Sequence, residues 1–243
     1  MNNLFKLFVT IIFIILVNSV LTRLIVSIEV TGNLVLILKI IIKILLSILT
    51  IYLLKTNGEK LNFRINASVF ISSIVIFCSF YYLQNSQIDI FCNMFFLISC
   101  FSVALFEELL FRKYTYYHIN RNVKKKKVFN GILITSSIFA LAHLVNLLRD
   151  YEVYSVINQL FFAFGIGVLL QFVYVKTNNL FYCITMHGLI NYYGTFNSYF
   201  NEKVRIDSTY EFSDFISSLL FINIMNAIII IPIYYYFRKN ELL

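Results

Sequence analysis

Long apolar runs recur along this chain, and that recurrence constrains its fold more than any other feature. A membrane-spanning helix needs about 20 mostly apolar residues. Eight runs approach or exceed that length, at roughly 4–21, 34–54, 67–84, 91–119, 129–148, 156–175, 178–195 and 215–237. The chain has 243 residues, of which 60% are hydrophobic and 13% charged. Soluble domains carry about a quarter charged residues, so a soluble fold has no place to bury this much apolar surface. The expected fold is all-α: a polytopic integral membrane bundle of about eight transmembrane helices. Seven glycines and one proline leave no room for a flexible linker, so residues 1–243 read as a single transmembrane domain. The first run lacks a small-x-small cleavage site and reads as a retained helix.

The net charge of +8 is not a nucleic-acid signature, because the basic residues cluster between the apolar runs. There they act as topology determinants and contacts for anionic lipid head groups. Lys55, Lys60 and Arg64 follow the second run, Arg121 and Lys124 to Lys127 the fourth, Lys176 the sixth, and Arg238 with Lys239 the last. The alternate loops hold Glu29, Asp89, Asp150 with Glu152, and Glu202, Asp207, Glu211 and Asp214. By the positive-inside rule both termini are expected in the cytoplasm. Lys39 and Lys43 interrupt the second run one helical turn apart, and are expected to snorkel or to face the bundle interior. Cys78, Cys92, Cys100 and Cys183 lie in apolar runs without CxxC spacing, as small hydrophobes would.

Against this background "SVALFEELLFRKY", residues 102–114, is out of place. A carboxylate at bilayer depth is costly and marks a functional position by default, yet Glu107 and Glu108 stand side by side there. Arg112 follows Glu108 by four residues, within reach on a helix surface. "SSIFALAHLVN" places His143 deep in the fifth run, and "YCITMHGLINYYG" places His187 and Asn191 one turn apart in the seventh. For these groups to share a depth, the fourth helix must continue through "KYTYYHIN" to about Asn120, which sets Glu107 roughly 20 Å inward at 1.5 Å per residue.

Two carboxylates, two imidazoles and an amide can activate water and stabilise an oxyanion, as peptide hydrolysis requires. Glu107, His143 and His187 can instead ligate zinc, and a proton-coupled transporter uses the same residue types.

"EELLFR", "FALAH" and "HGLIN" resemble, in order, the EExxxR, FxxxH and HxxxN motifs of the CPBP family of CAAX proteases and bacteriocin-processing or self-immunity enzymes. The similarity covers a core of about residues 100–195. It implies an intramembrane endopeptidase in which Glu107 activates water with help from His143. Glu108 and Arg112 would support the site, and His187 with Asn191 would form the oxyanion hole. No cofactor is expected, with zinc the alternative. The implied substrates are hydrophobic or lipidated peptides, or membrane-protein segments, and the implied setting is a bacterial cell membrane. A family member that does not cleave anything, but binds a sensor kinase or confers immunity, is the other expectation. A transporter is disfavoured because no pair of discontinuous helices is apparent.

Overall fold

The computed structural model describes residues 3–27, 32–83, 90–122, 128–149, 152–200 and 212–240. The loop charges Glu29, Asp89, Lys124 to Lys127, Asp150, Glu202, Asp207 and Glu211 lie outside them. The described residues are helical almost throughout, with no strand among them. In order they form α1 (Asn3–Ser27), α2 (Gly32–Thr56), α3 (Ala67–Leu83) and α4 (Ile90–Glu107). A π-helical segment (Glu108–Thr115) then leads directly into α5 (Tyr116–Asn122). Next come α6 (Val128–Ala142), a 3-10 segment (His143–Arg149), α7 (Val153–Thr177), α8 (Leu180–Phe200) and α9 (Phe212–Lys239).

Every apolar run is thus a helix. Among the described residues, six helical stretches are long and apolar enough to cross a membrane, including a continuous Cys92–Arg121. The other two runs differ for identifiable reasons. Helix α3 has 17 residues, and α8 has 21 but carries His187, Asn191 and further polar groups. The chain is a multi-pass helical membrane protein. Large apolar side chains such as Phe13, Tyr52 and Phe221 are well exposed along its helices, as a hydrocarbon solvent allows.

The chain divides into two compact units. The first comprises residues 1–19, 110–177 and 209–243. In it α7 packs against both α6 and α9, around Phe129, Ile132, Val168, Ile233 and Phe237. Gly165 makes the α7–α9 approach possible. The side chain of Asn226 occupies the space where a Cβ would stand, and its Nδ2 donates to the Phe161 carbonyl at 2.8 Å.

The second unit comprises residues 20–109 and 178–208. Here α4 packs against α2 and α8, with Leu36, Phe96, Cys100, Tyr192 and Phe196 at the centre. The Tyr192 hydroxyl donates to Asn93 Oδ1 at 2.7 Å in a fully buried position. The irregular stretch before α3 is fastened to the start of α8. The Arg64 amide donates to Asn179 Oδ1 at 3.0 Å, Asn179 Nδ2 to the Arg64 carbonyl at 2.8 Å, and the Leu180 amide to the Asn62 carbonyl at 3.1 Å. Asn66 caps α3 by accepting from the Val69 amide at 3.1 Å. These bonds fix the depth and rotation at which α8 begins, seven residues before His187.

Candidate active site

In the second unit, Glu107 ends α4 and Glu108 opens the π-helical segment. Such segments are rare, and they occur frequently at functional sites. Gly188 lets α8 close on α4: a Cβ there would stand 2.9 Å from the Phe101 ring. At that separation His187 meets both glutamates. Its Nδ1 is 2.8 Å from Glu108 Oε1, and its Nε2 is 3.7 Å from Glu107 Oε2. The Glu108 side chain is 0% exposed and that of Glu107 19% exposed. The inner carboxylate is therefore committed to protein, while the outer one is within reach of a small molecule. One imidazole, with a nitrogen on each edge, spans two successive carboxylates.

A carboxylate accepts, so Nδ1–H of His187 donates to Glu108 and Nε2 is the atom turned toward Glu107. Asn191 follows one turn along α8, partly buried. Its side chain is a source of two N–H donors close to the imidazole along the helix.

The first unit holds the other two motif residues. Arg112 is fully buried, with its guanidinium carbon 4.4 Å from the centre of the Phe139 ring. That is a favourable cation–π distance. The same ring packs edge-on against Phe111 at 5.1 Å and against His143 at 5.0 Å. His143 begins the 3-10 segment instead of lying inside an α-helix, as its place deep in the fifth run suggests; the α-helix stops at Ala142. Its Nδ1 lies 3.0 Å from the Phe139 carbonyl, one turn back. A carbonyl only accepts, so Nδ1 carries the proton and Nε2 presents a lone pair. The four-residue spacing of "FALAH" thus fixes the tautomer of its own histidine.

The spacing of the sequence brings together Glu107, Glu108, His187 and Asn191 in one unit, and Arg112 and His143 in the other. Sequence reasoning missed Phe139, which contacts both Arg112 and His143. The signal was present, since Phe139 is the first residue of the second motif. It also missed Gly188 and Phe101, whose close packing cannot be inferred from an apolar run. Among the described residues no three or more His, Cys, Asp or Glu side chains are grouped so as to hold a metal ion.

Residues 87–193 match the model of the family described as type II CAAX prenyl endopeptidase Rce1-like. The matched span contains all six motif residues. No curated protein and no solved structure matches the chain.

Proposed function

We propose, from the match of residues 87–193 to the Rce1-like CAAX endopeptidase family and the three motifs within it, that the chain is an intramembrane endopeptidase of the CPBP family working through a glutamate-activated water. The observation that supports this most is the contact of His187 with both Glu107 and Glu108. A water that accepts nothing from Glu107 but donates to it, and donates its second hydrogen to His187 Nε2, would be oriented by two atoms 3.7 Å apart. Glu107 takes one proton as the water oxygen attacks the peptide carbonyl, and the new C–O bond places a negative charge on the carbonyl oxygen. Asn191 Nδ2 donates to that oxyanion, the role that preorganised amides fill elsewhere. His187, expected to share that role, instead accepts from the water on this reading, because its proton sits on Nδ1 toward Glu108. As the C–N bond breaks, Glu107 passes its proton to the leaving amine. Glu108 works on His187, holding its ring plane and tautomer.

Arg112 and His143 enter through the motifs they belong to. We assign His143 to help orient the water, and Arg112 to support the site. The substrate class is a hydrophobic or lipidated peptide or a membrane-protein segment, reached laterally or from the cytoplasmic side, in a bacterial cell membrane. The basic loop residues are assigned to anionic lipid head groups. Reconstitution of the purified chain with candidate peptides tests the mechanism. Cleavage by the native chain, retained after exhaustive chelation and lost in Glu107→Gln, supports it. Loss on chelation with recovery on adding zinc would overturn the metal-free route.

A further inference from the structure

The 3-10 segment His143–Arg149 runs for seven residues. Such helices usually stop after three or four, because their hydrogen bonds are poorly aligned. A run of two turns therefore depends on contacts outside itself. With three residues per turn, side chains at i and i+3 line up. Leu144 and Leu147 form one edge, each 42% exposed and turned outward. His143 and Asn146 form the next edge, both partly buried, with Asn146 about 6 Å along the axis at 2.0 Å per residue.

The segment packs against α7, and a side-chain bond joins the two on the His143 edge. Asn146 Nδ2 donates to Gln159 Oε1 at 2.8 Å. Polar side chains commonly bond across helices in membranes, with a modest effect on stability. The place of this pair gives it a further role. His143 is tied through Nδ1 to the Phe139 carbonyl, 3.0 Å away in the turn before it, and Asn146 lies in the turn after it. Helix α7 braces both sides. A Cβ on Gly167 would stand 3.1 Å from Ser136 Cβ and 3.3 Å from Phe139 Cδ1. Helix α7 thus lies directly against the phenylalanine that the His143 ring meets edge-on. We infer that Asn146 and Gln159 are positioning residues. Their bond holds the 3-10 segment on α7, and so keeps the His143 ring on the Phe139 carbonyl with Nε2 presenting its lone pair. Neither residue belongs to the three motifs. The catalytic value of this orientation rests on the proteolytic reading, whereas the orientation itself does not.

The test is 15N NMR of the histidine-labelled chain in detergent, at a pH where the His143 ring is neutral. The chain has three histidines, and the His143 signal is the one that His143→Gln removes. In the native chain it shows a ring protonated at Nδ1, with that proton protected from exchange. Asn146→Ala and Gln159→Met each give a mixture of the two tautomers and about tenfold faster exchange of that proton. The double variant shows no more than either single one, as two partners of one bond require. The signals of His118 and His187 stay native. Should Asn146→Ala fail to fold, Gln159→Met, which keeps the length of its side chain, carries the test. A native His143 signal in both single variants, even with a lowered thermal midpoint, would reduce the pair to ordinary interhelical packing and overturn the proposal. So would a change in Asn146→Ala that Gln159→Met does not reproduce. Activity has a separate readout: on a prenylated peptide that the native chain cleaves, Asn146→Ala lowers kcat about tenfold with little change in KM, and adds nothing to the loss in His143→Gln. A native chain that cleaves nothing would sink the proteolytic reading and leave the NMR signal to decide the positioning on its own.

Discussion

Two neighbouring carboxylates on a helix point in different directions, about 100° apart, and rarely serve one purpose. Here they have distinct surroundings. Glu108 is fully buried and bonded to His187 Nδ1, and Glu107 is partly accessible beside Nε2. Distinct substitutions are therefore expected to separate them. Glu107→Gln keeps size and polarity and should lower turnover by about 10²–10⁴-fold, the usual worth of a general base, with expression and thermal midpoint near native. Glu108→Gln weakens a charge-assisted bond in a dry site, and should lower stability by about 1.5–3 kcal/mol as well as activity. A thermal midpoint unchanged in Glu108→Gln would contradict its structural assignment. The six motif residues were legible because polar and ionisable groups are costly in hydrocarbon, and stand out against apolar runs. Phe139 and Lys43 were less legible. A phenylalanine has no contrast with its apolar neighbours, and the direction of a lysine on a helix depends on which face the other helices cover.

The helices themselves were legible from hydropathy, including the continuation of the fourth past Arg112. The π segment from Glu108 to Thr115 was not, since it leaves no compositional mark. Its i→i+5 pattern is echoed by the Thr115 hydroxyl, which donates to the Leu110 carbonyl five residues back at 2.8 Å. The change to a 3-10 helix at His143 was equally hidden. Helix contacts also depend on single small residues. A Cβ on Gly165 would stand 1.6 Å from Asn226 Oδ1, so Gly165→Ala must displace that amide and break its bond to the Phe161 carbonyl. The expected loss is about 1–3 kcal/mol, as for other overpacked interiors, and Gly165→Ala/Asn226→Ala should recover part of it in thermal melts. In the other unit, Tyr192→Phe leaves Asn93 Oδ1 without its donor and should cost about 1 kcal/mol, within the range of interhelical bonds in membranes.

At the scale of the whole molecule, the family match spans residues 87–193 and so includes every motif, while all of α1 to α3 and all of α9 lie outside it. Helix α2 nevertheless packs on α4 and turns Lys43 toward it, so a region without motifs contributes a charge to the unit that holds both glutamates. Sequence motifs locate chemistry, whereas the packing that supports it is spread over residues that only the fold identifies. On the proposed reading Glu107 activates the water that cleaves peptide bonds. The most direct measurement compares cells carrying the native chain with cells carrying Glu107→Gln at matched expression, cataloguing the N- and C-termini of membrane and secreted peptides by mass spectrometry. Termini found only with the native chain are the predicted result, and they would identify a substrate. Identical catalogues across growth conditions, with any phenotype of the native chain preserved by Glu107→Gln, would contradict proteolysis and point to a non-cleaving interaction or immunity protein.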